Sequence, residues 1–123
     1  MTLEAPSERN QIGGVLYTQW SKTVTDPVNA AARTGVYDVR AFHRKHIKLF
    51  NNTDQTVVFT IESCDDEAGT DPRTINSTIS LAAAATDEVV ITDPQLYLQV
   101  KYDPAADSTG TVVIKVEGQR GGN

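Results

Sequence analysis

Two histidines, His43 and His46, sit inside RAFHRKHIK (residues 40–48), flanked by Arg40, Arg44, Lys45 and Lys48 with no acid among them. A pair of imidazoles is a start towards a metal site. In a strand, however, residues three apart face opposite sides, and neighbouring cations oppose a bound dication, so no metal is expected there. The strip reads instead as a polar docking surface for phosphates or an acidic protein, or as a solvated strand end whose charges discourage edge pairing. The opposite pole is ESCDDEAGTD (residues 62–71), which gathers Glu62, Asp65, Asp66, Glu67 and Asp71. Loop carboxylates suit calcium, yet the alternating ligand spacing and fixed glycine of an EF-hand loop are missing, and a solvated connection accounts for them. An acidic loop and a basic strip on one small chain also suit contact between identical neighbours in a ring.

Cys64 borders the acidic loop, where negative charge disfavours the thiolate, so a packed and inert thiol is expected. It is the only cysteine, which rules out a disulfide within one chain. The sequence has no Gly-rich phosphate loop, nucleophile elbow, zinc-ligand spacing or metalloprotease helix. The expectation is a protein that is not an enzyme and takes no cofactor. A formal charge of −5 over 123 residues argues against non-specific attraction to nucleic acid or to an anionic membrane. MTLEAPSERNQIGG lacks the basic start and apolar run of a signal peptide, and no stretch is apolar enough to span a bilayer, so assembly in the cytoplasm is expected.

The elements that must position these residues follow a period of two. Leu96, Leu98, Val100 and Tyr102 share one parity, and Val112, Ile114 and Val116 share it after a loop, which reads as a hairpin. Ile47 and Leu49, then Val57, Phe59 and Ile61 across NNTDQ, read as a second hairpin. Ile75, Ile79 and Leu81 and then Val89 and Ile91 continue the pattern. About seven short strands, punctuated by four Asp-Pro pairs, favour an all-β chain: an antiparallel β-sandwich or jelly roll. Residues 36–119 form that sandwich, residues 120–123 a flexible tail, and LAAAATDE a plain connection.

Residues 1–35 read as an N-terminal extended arm. Within it, Asp26 as a cap, Pro27, three alanines, Arg33 and Gly35 fit a short helix. Val15, Tyr17 and Trp20 are the expected arm contacts, and Arg40, Arg44, Lys45, Lys48 and Tyr97 the expected interface on the sandwich. Phe50, Val58, Val90, Tyr97 and Val113 each oppose their strand's main apolar set, which suggests outer faces covered by the arm or by other subunits.

HIKLFNNTDQTVVFTIES followed by QLYLQVKYDPAADSTGTVVIKVEGQ, after an arm-like segment and before a Gly-rich tail, resembles small β-sandwich virion proteins of tailed bacteriophages, particularly capsid decoration or cement proteins. The resemblance covers residues 36–119 as a pattern, without a motif that transfers any site residue. It implies a homo-oligomer, a trimer by preference, on the virion surface. There the sandwich would bind the major capsid protein or another virion protein without catalysis, cofactor, membrane or direct nucleic-acid contact. The alternative is a carbohydrate-binding β-sandwich module, with Trp20, Tyr37, Tyr97 and Tyr102 as the stacking rings.

Overall fold

The computed structural model describes residues 3–12 and 15–120, with the backbone path alone at residues 8, 10–12, 15, 16 and 77. Its strands are β1 (Glu8–Ile12), β2 (Val15–Thr25), β3 (Ala32–Arg33), β4 (Tyr37–Asp38), β5 (Arg44–Thr53), β6 (Val57–Cys64), β7 (Arg73–Leu81), β8 (Thr86–Ile91), β9 (Tyr97–Pro104) and β10 (Gly110–Arg120). One sheet runs β1-β2-β10-β5-β8 and the other β3-β9-β6-β7. The short β3 and β4 share one edge of β9, at Tyr102–Lys101 and at Leu98–Tyr97. All pairings between strands are antiparallel. From β2 onward the chain changes sheet at almost every connection, with β3–β4 and β6–β7 the exceptions. That winding makes the sandwich a jelly roll rather than an immunoglobulin-like one.

The alternation that marks the strands also fills the core. Ile47 and Leu49 on β5 and Val112, Ile114 and Val116 on β10 face Val57, Phe59 and Ile61 on β6 and Leu98, Val100 and Tyr102 on β9. Burying each such side chain contributes about 1.5–3 kcal/mol. The two expected hairpins do not form. β5 pairs with β10 and β8, whereas β6 pairs with β9 and β7, so 47–49 and 57–61 lie in opposite sheets. β9 and β10 are likewise split between sheets.

The expected arm is corrected more thoroughly. Leu16 to Thr25 pair continuously with Arg120 to Thr111, and Trp20 is buried in the core at 3% exposure. Trp20 packs edge-on against Tyr37 (5.8 Å between centroids) and Phe42 (5.9 Å). Ahead of β1, the Glu4 N–H donates to the Val36 carbonyl (2.7 Å), and the Glu4 carbonyl accepts from Trp20 Nε1 (3.2 Å). This first segment therefore ties the two sheets together at one side.

The short helix expected within 26–35 is also absent. Asp26 adopts φ 49°, its amide donates to the Gly110 carbonyl (2.8 Å) and its Oδ1 accepts from the Gly110 amide (2.8 Å). The Pro27 carbonyl accepts from both the amide and the hydroxyl of Ser108. With these backbone groups satisfied by the β9–β10 connection, helical bonds gain nothing. Residue 120, assigned to a tail, is the last residue of β10. Of LAAAATDE (residues 81–88) only 82–85 form the expected connection, turning through Ala84 at φ 65°, since Leu81 ends β7 and Thr86 begins β8.

The outer faces are less apolar than the strand pattern suggests. Phe50, Val90 and Val113 belong to one sheet, Val58 and Tyr97 to the other. Only Val90, at 45%, is widely exposed. Phe50 lies opposite Val113 and under the Lys115 ammonium, 5.6 Å from its ring centroid. These residues form no continuous apolar face.

Candidate binding cleft

The first sheet is five strands wide and faces four strand positions in the second. β1 is the outermost strand, and along its inward side, at the end where β10 finishes, an open cleft of about 330 Å³ remains. Its floor is Trp20, Phe42 and Thr18, and Leu3 and Pro6 form a wall. Phe42 lies flat over Gly118, where an added Cβ would stand 2.6 Å from the ring, so the missing side chain makes room for the floor. Inward parity on β1 and β10 brings Arg9 and Arg120 to the rim, both exposed.

Two acids also line the cleft, but each is engaged. Glu4 Oε2 accepts from the Gly35 amide (2.9 Å) and faces Lys22 Nζ at 3.6 Å. Asp38 takes two bonds from Arg40 (2.9 and 2.8 Å), which hold its carboxyl below the usual range. Among the described residues no acid forms an ion pair with Arg9 or Arg120. The cleft is thus an aromatic floor under a cationic rim, a fit for an acidic group on an apolar stem.

The expected interface residues scatter. Arg40 lies over the Tyr97 ring, 5.0 Å from its centroid, and these two are the pair the fold brings together. Arg44 Nε donates to His46 Nε2 (3.1 Å), and His46 Nδ1 faces Glu88 Oε1 at 2.5 Å. Lys48 stands 4.0 Å from Glu117. Tyr17 is half-buried on β2. The side chain of Val15 lies outside the described residues. The strip at 40–48 is therefore no single surface, because alternation sends Lys45 inward while Arg44, His46 and Lys48 face out.

Lys45 departs most from its expected role. It is fully buried, and its Nζ donates to the Asp93 carbonyl (2.8 Å). Burial depresses its pKa from 10.5, and nearby Asp93 offsets only part of that. Between the depressed value and 10.5 the unfolded chain binds more protons than the folded one, so this group makes stability rise with pH across that window. In urea melts, Lys45→Met is expected to remain at least as stable as the parent at about pH 7 and to lose that rise. A parallel pH dependence in both proteins would refute the assignment.

Cys64 is buried as expected, and burial first, then Asp66, Glu62 and Asp65, push its thiol up. The acidic turn is built on Asp66, whose Oδ1 accepts from the amides of Ala68 (3.0 Å) and Thr70 (3.1 Å). Asp65 pairs with Arg73 at 2.9 Å. Glu62 has left the acidic group altogether. Burial would raise its carboxyl, but bonds from Arg33 (2.8 and 3.3 Å) and Gln99 (3.0 Å) prevail and hold it low. Among the described residues no three His, Cys, Asp or Glu side chains gather as a metal site. Of the four rings proposed to stack on sugars, Trp20, Tyr37 and Tyr102 are buried and Tyr97 is capped by Arg40.

No family model and no curated protein matches the chain. Solved structures do. The chain is similar to the PBSX exported protein XepA, with a TM-score of 0.63 and 10% identity over 85% of this chain and 37% of that one. It is similar to a chain from Bacillus endospore appendages, described as a family of disulfide-linked pili, with a TM-score of 0.58 and 12% identity over 95% of both chains. PirA gives 0.54 and 8% identity over 80% of this chain and 90% of that one. At such identities the likeness is one of fold.

Sequence reasoning overlooked Arg9, Arg120, Phe42 and Thr18. The available signal was parity: Thr18 and Trp20 alternate with Tyr17 and Gln19, and Arg120 continues the inward series Val112, Ile114, Val116, Gly118.

Proposed function

We propose that this chain is a non-enzymatic structural protein of a phage particle, of the capsid decoration or cement kind, bound to coat subunits and to its own copies at the virion surface. The observation that carries the reading is the use of the chemistry-bearing residues. Polar groups such as Glu62, Lys45 and Cys64 are buried and bonded inside the fold, whereas the open recess is lined by two arginines together with Trp20 and Phe42. A recess of that kind suits protein contact, in which Arg and aromatic residues are favoured. Likeness to an exported PBSX protein and to an appendage pilus chain supports a jelly roll serving in an assembly outside the cell.

The sheet edges favour contact by side chains over strand addition. β8 carries Asp87 and Glu88, β1 carries Glu8 and Arg9, β3 and β4 are fragments, and β7 shifts register against β6 between Phe59 and Glu62. Each is a known means of blunting an edge. The test is sedimentation of the purified chain alone and with particles of its source phage assembled without it. Saturable co-sedimentation at fixed stoichiometry is expected. A 13.4 kDa monomer that never pellets with particles would overturn the reading.

A further inference from the structure

The cationic cleft and the acidic turn lie at the same end of the domain but on opposite sides. Cys64, which ends β6 and begins the turn, pairs with Tyr97, and Tyr97 touches Arg40 in the connection that also supplies Phe42 to the cleft floor. Arg9 and Arg120 line the side bounded by β1, whereas residues 65–72 join β6 to the outermost strand β7 at the far side. The turn is ordered by its own bonds: the Asp65 amide donates to the Thr70 carbonyl (3.0 Å) and the Gly69 amide to the Asp66 carbonyl (3.1 Å). Asp66 is turned inward onto those amides and Asp65 onto Arg73, which leaves Glu67 exposed at the tip. An acidic side chain held forward on an ordered turn matches a cationic rim, and little ordering entropy of the backbone is lost when they meet.

We infer that the β6–β7 turn of one copy, led by Glu67, seats in the Arg9–Arg120 cleft of a second copy. This inference rests on the proposed assembly function and specifies the contact between copies. Because cleft and turn occupy opposite sides, the contact is heterologous: each copy offers its turn to one neighbour and its cleft to another. Repetition generates a ring if the rotation closes and a filament if it does not. The charges on the rim are partly solvated, so association weakens as salt rises.

Sedimentation velocity on the full chain tests the contact, with thermal melts confirming that each variant is folded. R9E/R120E in the cleft and E67R on the turn are each expected to lower the association constant by at least about tenfold. Combining R9E/R120E with E67R in one chain is expected to restore much of the assembled mass. Assembly that ignores both reversals, or a loss that the combined variant does not recover, overturns this contact while leaving the structural role standing. Cleft reversals that abolish particle binding and spare self-association assign the cleft to a coat subunit instead, and also overturn it. A wild-type chain that stays monomeric both free and on particles overturns the contact and the proposed function together.

Discussion

A chain lacking residues 1–25 is expected not to fold. The deletion removes β1 and β2, takes Trp20 out of a core in which it touches Tyr37 and Phe42, and leaves β10 without the strand that covers Thr111 to Arg120. Loss of a buried tryptophan side chain alone costs about 3–5 kcal/mol. A domain of this size has a total stability of about 5–15 kcal/mol, so the further loss of a ten-residue ladder exhausts it. The structure also loses Glu4, whose backbone joins Trp20 to Val36. The expected readings are a far-ultraviolet circular dichroism spectrum without cooperative melting, and aggregation through the bared β10 edge. Cooperative melting of the truncated chain close to the parent's temperature would mean that β2 is dispensable, as a true arm would be. A companion variant, Trp20→Phe, keeps an aromatic ring in place and is expected to fold with reduced stability, which separates the loss of packing from the loss of the strand.

That result bears on what the sequence made legible. Alternation identified the buried parity of β5, β6, β9 and β10 correctly, because the pattern reflects which face meets the core. It could not say which strand lies beside which. Parity is the same whether residues 57–61 return beside 47–49 or cross to the other sheet, so both crossovers read as hairpins. β2 escaped notice because its inward residues include Thr18 and Lys22 beside Trp20 and Val24, which dilutes its apolar signal. In the site, Lys45 looked like surface by residue type and is core by parity, while the cleft depends on Gly118 making room for Phe42, two residues far apart in the chain. The jelly roll itself became distinguishable only through contacts of long sequence separation.

The crossover from β5 to β6 depends on one side chain, and its replacement is the other large expected effect. Asn51 is fully buried at the end where β5 leaves the first sheet. Its Nδ2 donates to the carbonyls of Gln55 (2.8 Å), Leu81 (2.9 Å) and Ala82 (3.1 Å), and its Oδ1 accepts from the Thr53 amide (3.1 Å) and hydroxyl (2.6 Å). The backbone of Asn51 adds bonds to Ala85 and Ala84, so the turn after β5 and the turn after β7 are fastened at one point. Asn51→Leu preserves much of the volume and removes every side-chain bond, stripping the buried Leu81 carbonyl and the Thr53 amide of this partner, while the Gln55 and Ala82 carbonyls keep bonds from Thr53 Oγ1 and the Ala85 amide. At about 1–3 kcal/mol for each such group, partly relieved where the turn reaches water, a loss of about 3–5 kcal/mol is expected in urea unfolding. Asn51→Asp is expected to be worse near neutral pH, because a carboxylate there faces carbonyl oxygens. It should recover in part under acid, where the protonated group again donates one bond. Thr53→Ala removes the hydroxyl together with one methyl group and is expected to cost about 1–2 kcal/mol. The order Asp, Leu, Ala from most to least damaging follows from hydrogen-bond supply alone, whereas ranking by hydrophobicity would make Asn51→Leu the mildest of the three. An Asn51→Leu protein within about 1 kcal/mol of the parent would show that these bonds are made equally well by water and that the crossover is held by packing.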